Sequence, residues 1–363
     1  MFFLDSRVFP PYNLAFTLVM NNCPLNGALN MEANEHNRLL VKLARLYYEE
    51  DLTQSEIAER LRLSRQKVQR LLREARSEGI VQIGIRPISG IFPDLEKGLE
   101  DSYGLREAVV VETTSYNQES TVVREVGAGA AEYLLRVVQP EDRIVISWGA
   151  SLLNMVEALS MKPPIDVQNV KVIQGLGGLG DPNNHMHASE VTRRLAKVLR
   201  GEAFLLPAPG AAASRAGRDA FYSDQQVASV LQRARTANLA FMGIGAPRPE
   251  SILIKEGRIV TWTELAELIQ RGAVGDMNFH YFDGRGQLIA SDLDARIIGL
   301  SLDEIKQTGH VVGVAGGSAK YKAIRGALVG KLIDVLVTDH VTAQQLLKVK
   351  DKKVGSIKLE AMV

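Results

Sequence analysis

Between residues 94 and 350 the chain repeats one pattern, a short apolar run followed by a stretch of helical periodicity, and that pattern leaves few folds open. The runs fall at 108–111 (AVVV), 143–147 (RIVIS), 170–174 (VKVIQ), 203–206 (AFLL), 239–244 (LAFMGI), 310–315 (HVVGVA) and 333–338 (IDVLVT). Helical patterns at 120–138, 151–160, 188–200, 225–236, 262–271, 319–329 and 342–348 fill most of the gaps. Strands that are apolar throughout have no side to give to water, and helices between them are what parallel connections require. The expected class is therefore α/β, a parallel, Rossmann-like sheet covered by helices on both sides. Ligands of such sheets bind beyond the carboxyl ends of the strands, so the strand-to-helix turns are where chemistry is expected.

A different pattern precedes it. Thr53 and Glu56 have the spacing of a capping box, and Ile57, Ala58 and Leu61 form the apolar stripe of a helix over 54–61. Arg62-Leu63 turns the chain, Ser64 offers a second N-cap, and Val68, Leu71, Leu72 and Ala75 keep helical spacing over 65–78 until Gly79. Opposite that second stripe lie Arg65, Gln66, Lys67, Gln69, Arg70 and Arg73. From Arg60 to Arg76 seven basic residues stand against one acidic, Glu74, whereas the formal net charge of the whole chain is +1. Two helices, a tight turn and a basic second helix make an N-terminal all-α helix-turn-helix unit, whose second helix enters the major groove, where Arg reads guanine and Gln reads adenine. The expected DNA contacts are Thr53, Gln54 and Ser64 at the helix starts, with Arg65, Gln66, Lys67, Gln69, Arg70 and Arg73 on the second helix. One such helix touches few base pairs, so two-fold pairing onto a palindromic operator is expected.

At 363 residues, 46% hydrophobic and 23% charged, the chain has room for two or more domains and the composition of a soluble globular protein. Its single cysteine, Cys23, excludes a disulfide framework and points to a reducing cytoplasm. The apolar run at 14–20 is seven residues long, too short to span a bilayer, and lacks the charged leader of a signal peptide. No membrane association is expected. The expected division is a disordered extension over 1–34, the helix-turn-helix domain over 35–86, a linker over 87–93 and an effector domain over 94–363. Met31 directly precedes the first periodic segment, so Met1 and Met31 are both open as the translation start. Residues 80–85 alternate like a short strand.

Three glycine-rich turns leave strands of the second domain. Ser147-Trp148-Gly149-Ala150-Ser151 enters a helix with two hydroxyls and exposed N–H groups, which suits an anion, although Ser151 also fits a plain N-cap. Gly175, Gly177, Gly178 and Gly180 follow Gln174 and allow a close backbone approach to a ligand; their spacing only approximates a dinucleotide fingerprint and does not follow the first strand. Gly316-Gly317-Ser318-Ala319-Lys320 leaves another strand with a lysine about one turn into the next helix, a phosphate partner or a solvated surface cation.

Seven stretches occur in order across about 35–350: LTQSEIAERLRLSRQKVQRLLREAR, SWGAS, QGLGG, GIGAPRPES, GAVGDMNFHYFDGRGQ, VAGGSAKYKAI and LIDVLVTDHVTAQQLL. Through them the chain resembles the SorC family of sugar-binding transcriptional regulators. The resemblance implies an effector domain similar in fold to glucosamine-6-phosphate deaminase and ribose-5-phosphate isomerase, with a phosphorylated sugar or polyol in its pocket that changes operator binding. It also implies a homo-oligomer, a tetramer, acting as repressor or activator. Carried onto this chain, Ser147, Gly149 and Ser151 would hold the phosphate and Lys320 would neutralise it. Gln174 and Asp276 would take sugar hydroxyls, and Arg248 would add an anion contact.

The alternative is a sugar-phosphate isomerase or deaminase carrying a DNA-binding domain. Where the deaminases have a G-x-D-G-H type turn, this chain has Gly243-Ile244-Gly245-Ala246-Pro247-Arg248-Pro249, without carboxylate or histidine. Asp276 is one acid where acid/base work wants a pair, so no enzyme activity, cofactor or metal is expected. His185 and His187 lack an evident third metal ligand, His280 reads as a strand position, and Lys255 reads as a solvated lysine rather than a Schiff-base former.

Overall fold

The protein is described here by a computed structural model covering residues 25–83, 88–163, 167–178, 188–248 and 260–348, with side chains from Asn34 onward. It divides into two compact units, one ending at Pro87 and one starting at Ile88.

The first unit consists of α1 (Leu25–Tyr48), α2 (Gln54–Leu61) and α3 (Arg65–Ser77). Leu40, Leu43 and Leu46 of α1, Ile57 of α2, and Val68, Leu71, Leu72 and Ala75 of α3 close one buried cluster. α1 starts at Leu25, inside the segment expected to be disordered; residues 25–34 contain neither proline nor a β-branched residue to stop a helix running back from the packed turns. Residues 1–24 lie outside the described residues. The short strand expected at 80–85 is absent over its described part, 80–83. Ile80 and Val81 instead fold back onto the helical cluster beyond Gly79, which has φ +75°, and Val81 N–H donates to Ala75 O at 3.1 Å. Leu43 is completely buried, so Leu43→Ala is expected to destabilise this unit by about 2–5 kcal/mol, read as an earlier unfolding transition in urea followed by circular dichroism.

The second unit begins with α4 (Pro93–Tyr103), opened by a proline at the position where its missing N–H is harmless, so the expected linker over 87–93 ends inside a helix start. It continues through β1 (Glu107–Val111), α5 (Glu119–Val137), β2 (Arg143–Ile146), α6 (Ala150–Ser160), β3 (Lys171–Gln174), α7 (Ala188–Val198), β4 (Glu202–Phe204), α8 (Arg215–Ser223), α9 (Gln225–Arg235) and β5 (Leu239–Gly243). A hairpin of β6 (Gly275–Met277) and β7 (His280–Phe282) follows, then β8 (Val311–Val314) and β9 (Val335–Asp339). Seven strands form one sheet in the order β1-β9-β8-β5-β2-β3-β4, every neighbouring pair parallel. These are the seven apolar runs, each shifted by two residues at most.

Alternation sends the strands' side chains into two cores. Ile144, Ile146, Phe241, Val312, Val314, Val335 and Val337 meet α5, α6 and α7, whereas Val145, Ala240, Met242, Val311 and Leu336 meet α4, α9 and the helix Tyr321–Val329. The exposed edge strand β1 is guarded by α4, whose Glu100 and Glu96 carboxylates accept from Ala108 N–H and Val110 N–H, each at 3.0 Å. The order reverses between β2 and β5: β3 and β4 continue on one side, β8, β9 and β1 on the other. In sheets of this kind ligands bind beyond the carboxyl ends of the strands at such a switch point.

Candidate functional site

In the first unit the Thr53–Glu56 capping box forms, Thr53 N–H and Oγ1 donating to Glu56 Oε2 at 2.8 and 2.7 Å, and these bonds hold the Glu56 carboxyl below its ordinary range. Arg62 turns the chain with φ +52°, and Ser64 Oγ accepts from Lys67 N–H at 3.2 Å to start α3. With Val68, Leu71, Leu72 and Ala75 facing inward, Arg65, Gln66, Lys67, Gln69, Arg70 and Arg73 are all exposed. Among the described residues none of the five cations Arg62, Arg65, Lys67, Arg70 and Arg73 makes an ion pair. The acidic Glu74 is turned away to His36 at 2.7 Å, and Arg76 is occupied by Tyr48, whose hydroxyl accepts from its Nε at 2.6 Å. The result is an uncompensated cationic helix face, free to meet phosphates and base edges. Thr53 and Ser64 serve as caps, and Gln54 is half-buried beside them.

In the second unit the turn after β2 reaches the switch point. Ser147, 2% exposed, takes its backbone bond from β5, its N–H donating to Phe241 O at 3.1 Å, while its hydroxyl donates to Asn278 Oδ1. Gly149 holds φ +130°, a conformation for glycine alone, and α6 starts behind it without a side-chain cap. Ser151, on the first turn of α6, is 3% exposed and its hydroxyl has no hydrogen-bond partner among the described residues. It is therefore not the plain N-cap that the sequence left open. A buried orphan hydroxyl at an uncapped helix start is a place prepared for an acceptor.

Lys320 arrives from the turn after β8. It closes a single 3₁₀ turn, Ser318–Lys320, just before the helix Tyr321–Val329, rather than sitting one turn inside it. Burial pushes its ammonium down, Glu119 holds it up, Arg248 pushes it down and Asp276 supports it, so these four groups share one neighbourhood. Arg248 is already clamped to Glu119 at 2.8 Å. Asp276 exchanges backbone bonds with Gly245 beyond β5, and a Cβ at Gly245 would overlap the Asp276 carboxylate, which is why only glycine fits there. Burial raises Asp276 to about 6 against the opposing pull of Phe279 N–H, Lys320 and His280. For both Asp276 and Lys320 desolvation outweighs the attraction of the opposite charges beside them.

Asp276 makes a test of this. Its raised value means that stability is fully present below about 3.8, falls as pH rises toward about 6, and stays reduced above that. Asp276→Asn is expected to raise the melting temperature at pH 7.5, by the equivalent of about 3 kcal/mol at most, and to leave it unchanged at pH 4, while weakening effector binding. Differential scanning calorimetry at the two pH values checks it.

Gln174 and its glycines do something other than expected. The Gln174 amide is engaged by backbone, Nε2 donating to Leu176 O at 2.6 Å and Oε1 accepting from Leu206 N–H at 3.2 Å. A Cβ at Gly177 would meet Pro209 O at 2.2 Å, so the close approach these glycines permit is by the protein's own chain. The end of that run, with His185, His187 and Lys255, lies outside the described residues. Sequence reasoning missed Asn278, whose side chain ties Ser147 to Gly175 O at 3.1 Å and Leu300 O at 3.3 Å. Its signal was an asparagine between two short strands: Asn278 and Phe279 form the β6–β7 turn with φ +53° and +67°. His280 is indeed a strand residue, paired through Nδ1 with Asp294 at 2.5 Å.

Comparison with known proteins follows the same division. Residues 90–348 match a family described as a putative sugar-binding domain, and residues 42–78 match sigma-70, region 4. A deoxyribonucleoside regulator of Bacillus subtilis is 30% identical over 312 residues, covering 86% of this chain and 98% of that protein. A sorbitol operon regulator of Klebsiella pneumoniae is 30% identical over 325 residues, covering 88% of this chain and all of that protein. The crystal structure of the full-length sorbitol operon regulator SorC from Klebsiella pneumoniae superposes with a TM-score of 0.63 at 30% identity, covering 85% of this chain and 98% of that one.

Proposed function

The chain belongs to the SorC family of sugar-binding transcriptional regulators, and we propose that it controls an operon of carbohydrate metabolism by binding operator DNA in a manner set by a phosphorylated sugar or polyol. The observation that carries the phosphate is the turn after β2, where an uncapped helix start and the orphaned Ser151 hydroxyl stand ready for an anion. Lys320 supplies the charge and Asp276 accepts from sugar hydroxyls, in line with the roles expected of them. Gln174 supports the pocket wall, and Arg248 approaches the anion with Glu119 as its standing partner. The cationic face of α3 reads the operator, and two copies related by a two-fold axis read a palindrome, within a tetramer. Nothing in the relatives' names favours catalysis; they are regulators of a sugar or nucleoside operon.

Among the described residues no helix is long and apolar enough to cross a membrane. A cytoplasmic location, where a transcriptional regulator meets its operator, is part of the proposal and is supported by the kinship with operon regulators. The test is a thermal-shift screen of sugars and polyols, each with and without phosphate, including sorbitol and deoxyribose phosphates. A ligand that binds only the native state raises its stability, by about 2.7 kcal/mol at a hundred times its Kd. We expect stabilisation by at least one phosphorylated member and none by its unphosphorylated counterpart at equal concentration; stabilisation by neither class removes the reading.

A further inference from the structure

Behind the Gly316–Lys320 turn lies a buried carboxylate that the effector reading does not use. Asp339, at the end of β9, is 0% exposed. Its Oδ2 accepts from Gly317 N–H at 2.8 Å and from Thr342 Oγ1 at 2.7 Å, and its Oδ1 accepts from Thr342 N–H at 2.8 Å. Gly316 lies so near that a Cβ there would meet Oδ2 at 2.5 Å, and Gly317 holds φ +94°. The turn cannot shift without moving Asp339 or breaking these bonds.

The next residue is His340, the first of a helix over 340–348. Its ring stacks flat on Phe92, with centroids 5.1 Å apart and planes 5° apart, and its Nδ1 accepts from Thr113 N–H at 3.2 Å. Phe92 is the residue from which α4 starts. The far end of α4 is tied to the same helix, Tyr103 Oη donating to Leu346 O at 3.0 Å, and Glu96 and Glu100 fasten α4 to the sheet edge. Ile88, where the second unit begins, stands four residues before Phe92, and the DNA-reading unit ends at the residue before Ile88.

We propose that His340 is the positioning residue that couples the effector turn to the start of the second unit, the segment to which the DNA-reading unit is joined in sequence: a shift of Gly316–Gly317 moves Asp339, and the stacked His340–Phe92 pair passes it to residues 88–92. Close-packed contacts of this kind are stiff, so a sub-ångström change at the turn is delivered rather than absorbed. The proposal rests on reading that turn as part of the effector site, but its test needs no effector.

The test is amide hydrogen exchange on the full chain, comparing unaltered protein, Asp339→Asn, His340→Leu and the double variant. Asp339→Asn is expected to speed exchange at both 316–320 and 88–92 by roughly tenfold or more, with α7 unchanged. In the His340→Leu background the same change should still free 316–320 yet add less than about twofold at 88–92. Thr342→Val, which leaves the carboxylate in place and removes the hydroxyl's two bonds, to Asp339 Oδ2 at 2.7 Å and from Gly317 N–H at 3.1 Å, gives the same comparison in a milder form should Asp339→Asn loosen the whole sheet. Freed exchange at 316–320 with 88–92 unmoved in otherwise unaltered protein overturns the proposal, as does equal transmission with and without His340. A failed effector screen touches the functional reading and leaves this result standing.

Discussion

Replacing Arg65 and Arg70 together by alanine weakens operator binding by at least about a hundredfold at one fixed salt concentration, and the melting temperature does not change. Both side chains are exposed and neither has an ion-pair partner among the described residues, so their loss removes nothing from the folded unit. A charged contact to a base edge or phosphate contributes about 1–3 kcal/mol, and a hundredfold corresponds to about 2.7 kcal/mol, within the reach of two such contacts. The salt dependence should fall as well, by about one unit of slope for each lost phosphate contact. Arg76→Ala is the contrast. Its guanidinium is spent on Tyr48, as hydrogen bond and as a cation over the ring at 5.5 Å, so this change lowers stability and leaves DNA affinity nearly intact. Fluorescence anisotropy on an operator selected from a random-sequence pool reads both variants against the unaltered protein.

Lys320→Ala reduces affinity for the phosphorylated effector by at least about tenfold and barely alters affinity for the unphosphorylated sugar. A charged hydrogen bond to phosphate contributes about 1.5–3 kcal/mol, and tenfold corresponds to about 1.4 kcal/mol. The empty protein should not suffer. Burial lowers the ammonium, so the folded state holds this cation at some expense below the lysine's ordinary titration range, and truncation relieves it. Calorimetric titration of both ligands into both proteins separates the outcomes: equal losses for sugar and sugar phosphate mean that Lys320 does not read phosphate.

What the sequence made legible follows from how local each signal is. The seven strands of the sheet and the two helices of the DNA-reading unit announce themselves within a dozen residues each, through apolar runs, caps and glycines. α4 stayed hidden because Pro93 and Gly98 look like breaks, although one is a helix start and the other makes room for Leu347. Of the residues proposed for the site, Ser147, Gly149, Ser151 and Lys320 could be nominated from the sequence because each sits on a glycine turn leaving a strand. Asn278 and Asp339 were not, since their partners lie far along the chain: Asn278 reaches Ser147, 131 residues before it, and Asp339 reaches Gly317, 22 residues before it. Gln174 misled for the same reason, because the amide that faces a sugar on paper is held by Leu206 N–H, 32 residues on.

The central claim is that one ligand site sets one DNA affinity, and the most direct measurement is operator affinity with and without the phosphorylated sugar that stabilises the protein. The account predicts that saturating ligand changes the operator Kd by at least about fivefold, a coupling of about 1 kcal/mol or more, and that operator in turn changes ligand affinity by the same factor. It also predicts that Lys320→Ala shifts the ligand concentration needed without changing the ligand-free operator Kd. An operator Kd that stays the same while the ligand demonstrably binds contradicts the account.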